Sequence, residues 1–352
     1  MFMNRTIVTG MASFGMSGRV FHGPLLRHHS NFKIKRIVER SKNTARADYP
    51  DAIISRSFEE LLGDNEIELI VVNTPNRTHH ELARNALQAG KHVVVEKPFT
   101  LTVAQGEELI TLARKKGLML TVFQNRRWDG DFLTVQEIVK KKMLGRLVDF
   151  ESHYDRYRYG IQPDTWKERA DEGAGLIYNL GSHMIDQAIV LFGMPEAVTA
   201  HIRIVRTRGE VDDWYDIKLH YDDLSVCTKS SYLVRELGPR YVLHGTLGSF
   251  VKHGLDPQEE ALNKGLEPGG SDWGRESQEW WGLLNTEVHG IQKRVVVETK
   301  PGNYVAFYND VYDCIVHHTN PPVQPEDALN VIRIIEAALK SNQERRTVAI
   351  GE

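Results

Sequence analysis

Asn179, His183 and Asp186 are spaced at i, i+4 and i+7, a separation that brings three polar side chains onto one stripe of a helix. A histidine, with an unperturbed pKa of about 6.5, takes and returns a proton near neutrality. A carboxylate on the same stripe can orient that ring or hold a substrate hydroxyl, and an amide can donate and accept but not titrate. A second pattern stands near the N-terminus, where Gly10-Met11-Ala12-Ser13-Phe14-Gly15-Met16-Ser17-Gly18 follows a short apolar run and precedes a helical one. Strand, glycine turn and helix in that order let a backbone approach a pyrophosphate and offer it helix amides and the helix dipole. The opening position of the GxGxxG fingerprint is Ser13, so the match fails by one residue, and Gly15 and Gly18 keep the last two roles. Ser13, Phe14, Gly15, Met16 and Ser17 are the expected pyrophosphate loop.

Glu39 ends the second apolar run, at about the distance from the loop where an acidic residue binds the adenosine ribose hydroxyls. It weighs toward NAD, because a carboxylate there repels a 2′-phosphate. Its neighbour Arg40 weighs toward NADP, since a guanidinium pairs with that phosphate and stacks on adenine. NAD or NADP is therefore the expected cofactor, with Glu39 tipping the balance slightly to NAD.

These groups need elements to hold them. The apolar runs at Thr6 to Val8, Phe32 to Val38, Ile67 to Asn73, His92 to Val95 and Leu118 to Phe123 are separated by amphipathic stretches such as Glu81 to Ala89 and Val103 to Lys115. That is βαβ punctuation, and near-continuous apolar strands imply a parallel sheet covered on both faces. Beyond Asn125 the pattern turns to alternation, at Leu147 to Tyr154, Thr199 to Val205, Ile217 to Tyr221 and Ser225 to Tyr232, as in antiparallel strands. Helical patterns cover Leu180 to Phe192, Val305 to His317 and Pro325 to about Asn342, while 265–274 and 301–303 read as loops. The expected architecture is α/β: an N-terminal Rossmann domain with a doubly wound parallel sheet over 1–124, and an α+β domain with an open, mainly antiparallel sheet over 125–352.

A chain of 352 residues is long enough for two cores. Hydrophobic residues at 41% and charged residues at 26% exclude wholesale disorder. A formal net charge of -3 offers no field for nucleic acid and no polybasic membrane patch. With only Cys227 and Cys314, no disulfide framework or Cys-based zinc site is expected. The pairs His28-His29, His79-His80 and His317-His318 do not face one another on a helix, so no metal is expected either. The first residues lack an apolar signal core, and a cytoplasmic location is expected. No nucleophile elbow or Walker loop is present, which sets hydrolase and kinase readings aside.

Several short motifs go further. Glu96-Lys97-Pro98 ends the run Val93 to Val95, Asn73-Thr74-Pro75-Asn76-Arg77-Thr78-His79 follows the run before it, and Gln124-Asn125-Arg126-Arg127-Trp128-Asp129 and Leu180-Gly181-Ser182-His183-Met184-Ile185-Asp186-Gln187 stand downstream. Together with Gly15 to His22 they resemble the Gfo/Idh/MocA oxidoreductases over essentially the whole chain, and look nearest to an NADP-dependent inositol dehydrogenase branch. The resemblance implies a sugar or cyclic polyol substrate, a homo-oligomer (dimer or tetramer), and hydride transfer between nicotinamide and a ring carbon. It implies that Lys97 reaches the substrate hydroxyl, that Glu96 and Pro98 help to place it, and that Thr74, Pro75, Asn76, His79 and Asn125 line the cofactor. Lys97 and His183 then form the catalytic pair, with Asn179 and Asp186 as substrate contacts. The family commonly has Asp where Asn179 stands, so a carboxylate role does not carry over. Arg156, Arg158 and Trp166 lie in a span rich in aromatic rings and planar donors, suited to a polyhydroxylated substrate or equally to a subunit interface. Two other functions remain open at this point: a nucleotide-sensing regulatory protein without catalysis, and a redox-assisted glycosidase.

Overall fold

A computed structural model describes residues 5–162 and 165–351. The chain forms two compact units. The first contains the residues up to Asn125 together with Gln258–Trp273 and Asn303–Leu329, and the second contains Arg126–Pro257, Gly274–Gly302 and the residues from Asn330.

The first unit is built on a six-stranded parallel sheet of β1 (Ile7–Met11), β2 (Phe32–Val38), β3 (Ile53–Ser55), β4 (Leu69–Val72), β5 (His92–Glu96) and β6 (Leu120–Phe123). Its order is β3-β2-β1-β4-β5-β6, so the winding reverses between β1 and β4, and a crevice opens outside their carboxyl ends. Leu69, Ile70, Val71 and Val72 are wholly buried, as are Val93, Val94 and Val95, which is what helices on both faces of a parallel sheet require. The helix Val103–Lys116 starts where the Thr102 hydroxyl accepts the Gln105 N–H and stops at Gly117 in the left-handed region, as capping predicts. A helix from far along the chain, Val305–His317, belongs to this unit. Its Phe307 ring stands 4.9 Å from that of Phe123 at the end of β6.

The second unit carries a nine-stranded sheet of β7 (Leu147–His153), β8 (Ala197–Arg203), β9 (Trp214–His220), β10 (Ser225–Ser231), β11 (Tyr241–Gly245), β12 (Gly248–Lys252), β13 (Gly282–Val288), β14 (Ile291–Val297) and β15 (Val348–Ala349). The order is β14-β13-β12-β11-β7-β10-β9-β8-β15. Only β7 and β10 pair in parallel; the sheet is otherwise antiparallel. β13 and β14 join through His289 and Gly290, both at positive φ (51° and 75°), the geometry of a two-residue turn that matches strand twist. Among the described residues no helix is long and apolar enough to cross a membrane.

Candidate active site

In the first unit the glycine loop leaves β1 and enters a wide π-type turn, Gly18–His22, that continues as the helix Gly23–His28. Gly18 cannot be another residue: an added Cβ would lie 2.6 Å from the Ser13 carbonyl oxygen and 2.7 Å from the Asn73 amide nitrogen. Asn73, just past β4, donates to that same carbonyl at 2.9 Å, so the two strand ends are tied across the winding reversal. Ser13 compensates for the missing glycine in its own way, its hydroxyl accepting the Gly15 N–H at 3.0 Å. Phe14 and Ser17 are half-buried, and Gly15 and Met16 are exposed. An exposed, close-packed turn before a helix, at the carboxyl ends of β1 and β4, fits a dinucleotide pyrophosphate.

Glu39 is buried, and its carboxylate is engaged within the chain. One oxygen accepts the Thr44 N–H at 3.1 Å and the Thr44 hydroxyl, and the other accepts the Ala45 N–H at 3.0 Å. Arg56 braces the loop beyond it through the Glu39 and Lys42 carbonyls, at 2.7 and 2.6 Å. Arg40, Ser41 and Lys42 are left exposed.

The turn carrying Lys97 is anchored at both ends. The Glu96 carboxylate accepts from His22 Nε2 at 3.1 Å and from the Lys97 N–H at 3.0 Å. Tyr308, from the late helix, lies 2.7 Å from His22 Nδ1. A phenol there donates, because burial raises its pKa well above the ordinary value; Nδ1 therefore accepts, and Nε2 carries the proton given to Glu96. Burial works against charge on Glu96, but the His22 hydrogen bond and the nearby charge of Lys97 hold its carboxyl below the usual range. At the other end His79 Nδ1 lies 2.7 Å from the Pro98 carbonyl oxygen and Nε2 lies 2.9 Å from that of Thr74. Lys97 is half-buried; Asn76 and Asn125 are buried, and Thr74 and Pro75 partly so.

In the second unit Asn179 falls in a π-type turn, Ile177–Gly181, and His183 and Asp186 in the helix Ser182–Phe192 that continues it. Bonding to i+5 shifts the register that a uniform α-helix would give. Asn179 Nδ2 lies 3.4 Å from the Tyr232 hydroxyl. Asp186 takes a bidentate pair with Arg127, from Nε at 2.8 Å and Nη2 at 2.7 Å. Gln187 donates to the Arg126 carbonyl at 2.9 Å, so the helix grips the Asn125–Trp128 turn at two consecutive positions. Asp212 accepts the Ile177 N–H at 2.8 Å, and burial pushes its carboxyl up to about 6. His183 is buried.

Arg156 lies over the Tyr154 ring at 5.0 Å, and Arg158 over the Tyr232 ring at 5.6 Å. Arg206 also lies over Tyr232, at 4.9 Å, and its ion pair with Glu168 at 2.6 Å holds the short turn Trp166–Glu168. Tyr232 thus gathers Asn179 and Arg158. Arg156 stays with Tyr154, and Trp166 stands beside Lys167, 6.0 Å from its ring.

Sequence reasoning missed Tyr232, Arg127, His22 and Tyr308. Arg127 and His22 lie inside motifs already singled out, but neither residue type announces its partner. Among the described residues no group of three or more His, Cys, Asp or Glu is placed to hold a metal ion.

Residues 5–124 match the model described as oxidoreductase family, NAD-binding Rossmann fold, and residues 136–350 match its C-terminal alpha/beta domain. The chain belongs to the Gfo/Idh/MocA oxidoreductase family. Within that family it is 39% identical to scyllo-inositol 2-dehydrogenase (NADP(+)) IolW of Bacillus subtilis, over 98% of this chain and 96% of that one. It is 38% identical to the oxidoreductase YdgJ of Escherichia coli, over 99% of this chain and all of that one. A crystal structure of an oxidoreductase from Bacteroides fragilis is 52% identical, covers 98% of this chain and 100% of its own, and superposes with a TM-score of 0.90. That of YvaA from Bacillus subtilis is 39% identical, covers 98% of each chain and gives 0.95.

Proposed function

We propose that this Gfo/Idh/MocA protein is an NADP-dependent dehydrogenase exchanging hydride with a hydroxylated ring carbon of a sugar or an inositol-like cyclic polyol. The observation that carries the reading is the Glu96-Lys97-Pro98 turn, a lysine whose two chain neighbours are held by buried histidines at the carboxyl end of a parallel strand beside a dinucleotide crevice. The IolW relative, named for an inositol and NADP, supports the substrate class. When bound, the nicotinamide supplies the hydride acceptor or donor. Lys97 donates to the substrate oxygen and stabilises developing alkoxide charge, and His183 takes up the hydroxyl proton. Asn179 orients a neighbouring hydroxyl as a neutral donor and acceptor, and Arg156, Arg158 and Trp166 supply further contacts to the ring. Asp186, paired with Arg127, fixes the helix that presents His183.

The preference for NADP rests on Glu39. With its carboxylate taken by Thr44 and Ala45, the exposed Arg40 is the group available to a 2′-phosphate. A panel of inositols and aldoses, each with NAD and NADP, tests the reading by absorbance of the reduced cofactor. Lys97→Ala and His183→Ala, shown to be folded, are expected to abolish turnover; full turnover in both sinks the catalytic assignment. Arg40→Ala is expected to raise KM for NADP about tenfold and leave NAD unchanged, an effect of the size of one lost charge-assisted hydrogen bond. Equal response to both cofactors removes Arg40 from the assignment.

A further inference from the structure

We infer that Arg206 is a positioning residue for the polyol, a buried guanidinium that keeps Arg158 and the turn carrying Trp166 at a fixed spacing by holding both pieces of chain at once. The inference rests on the function proposed above, in which Arg158, Trp166 and Asn179 contact the substrate ring. Arg206 lies just past β8 and, like all of its partners, in the second unit. Its side chain is 1% exposed, and that of Asp213, directly before β9, is wholly buried. The Asp213 carboxylate accepts Arg206 Nε at 2.7 Å, and also the Val205 and Arg206 N–H groups at 2.6 and 3.1 Å. One edge of the guanidinium is thereby locked to its own loop.

The two terminal nitrogens reach other parts of the chain. Nη2 donates to Glu168 Oε2 at 2.6 Å, while Nη1 faces Glu168 Oε1 at 3.2 Å and the Arg158 and Gly160 carbonyl oxygens at 3.3 Å each. A guanidinium serves carboxylates on two sides because its N–H groups are held in one rigid plane, which an ammonium cannot reproduce. The same group lies 4.9 Å from the centre of the Tyr232 ring, the ring that Arg158 overlies and whose hydroxyl meets Asn179. Arg158 has a second hold on this point, its N–H donating to the Tyr232 carbonyl at 2.7 Å. In the Trp166 turn the backbone bonds from Glu168 to Thr165 and from Arg169 to Trp166 are local, and the Glu168 carboxylate ties the turn to Arg206. Both substrate-side pieces are therefore spaced by one side chain that touches no substrate itself.

The experiment takes the inositol or aldose that wild type turns over fastest and measures its KM and kcat in full-length Glu168→Ala, Arg206→Lys and the double variant. Cofactor Kd is measured in each by fluorescence of the reduced nicotinamide. Contacts that hold the ring equally in the ground and transition states set KM and not kcat. Glu168→Ala is therefore expected to raise polyol KM about tenfold, the size of a lost charge-assisted hydrogen bond, with kcat within about twofold and cofactor Kd unchanged. Arg206→Lys is expected to do the same, and the double variant to raise KM no further than the larger single one, because both substitutions break the same tie. Multiplied effects in the double variant, an unchanged polyol KM in Glu168→Ala, or parallel damage to KM, kcat and cofactor Kd overturns the inference. Glu168→Ala leaves the buried Arg206–Asp213 pair in place and decides alone should Arg206→Lys fail to fold. Wild type that turns over no inositol or aldose with either cofactor sinks the proposed function, and this inference with it. Wild type that turns one over, beside variants with its own KM, sinks the inference alone.

Discussion

The turn that presents Lys97 and the helix that presents His183 are both held by buried partners, but the chemistry of the holding differs. Around Lys97 the anchors are two imidazoles, a phenol, a carboxylate and backbone carbonyls, most of them neutral groups sharing protons. Around His183 the main anchor is a bidentate guanidinium–carboxylate pair, Arg127 with Asp186, backed by an amide on a carbonyl. An imidazole donates or accepts at each nitrogen according to its tautomer, so such a network depends on where its protons sit. A guanidinium–carboxylate pair is expensive to break, because either partner left alone is a charge largely out of water. One unit of this protein therefore holds Lys97 with proton-sharing contacts, and the other holds the His183 helix with an ion pair.

The largest effect expected from that contrast comes from Arg127→Ala. Asp186 is 1% exposed, and stranding its carboxylate costs about 3–5 kcal/mol; urea unfolding measures the loss, and a change under 1 kcal/mol would remove the pair from its assigned role. Replacing both partners with apolar residues of similar volume is expected to recover most of that loss.

Asp212→Asn probes the cap of the same helix. The Asp212 carboxyl is raised from 3.8 to about 6, so the folded state holds its proton more tightly than the unfolded one. Its contribution is therefore complete below the unfolded value and is lost as pH rises through the folded one, by at most about 3 kcal/mol. The Asn variant should lack that slope between pH 4 and 7 and unfold at a higher denaturant concentration than wild type at pH 8. An unchanged pH profile would contradict the burial of this group.

On the lysine side, His22→Phe removes the partner of Glu96 and is expected to cost about 1–3 kcal/mol at pH 7. The Glu96 carboxyl is held below its ordinary 4.5, so its stabilisation is present above that value and disappears as pH falls through the depressed one. The variant should show a flatter acid limb in thermal unfolding followed by circular dichroism; a limb as steep as wild type would mean that His22 does not set the charge of Glu96. Tyr308→Phe deletes only the donor to His22 Nδ1. It should cost about 1 kcal/mol, the smallest change of the four, and a loss as large as that of His22→Phe would make the phenol, and not the imidazole, the anchor.

Much of the first unit was legible. The runs at Phe32 to Val38 and His92 to Val95 became strands with nearly those bounds: Val93, Val94 and Val95 are wholly buried, as in a parallel strand covered on both faces, while β2 is buried at Phe32, Ile37 and Val38 and exposes Lys33. β3 was missed, having three residues and no periodicity to read. In the second unit β7 to β10 showed alternation. The four strands from β11 to β14 did not announce themselves: in β14, exposed at six of its seven positions, Lys293 interrupts the face that Ile291, Val295 and Val297 share, and the turn that creates it uses His-Gly where Asn-Gly is the stronger signal.

The sequence by itself determined the chemistry available. A lysine between Glu and Pro after an apolar run, a histidine opening a helix, a glycine loop and an amide at Asn179 are properties of residue type and spacing, and local rules suffice for them. What each group is engaged with was decided only by the tertiary structure. Glu39 binds Thr44 and Ala45, Asp186 binds Arg127, and His22 connects Tyr308 to Glu96 across separations of 286 and 74 residues. A hydrogen bond depends on where two atoms lie to within a few tenths of an ångström, and that distance is set by packing of the whole unit, including a helix that the chain supplies only after residue 300.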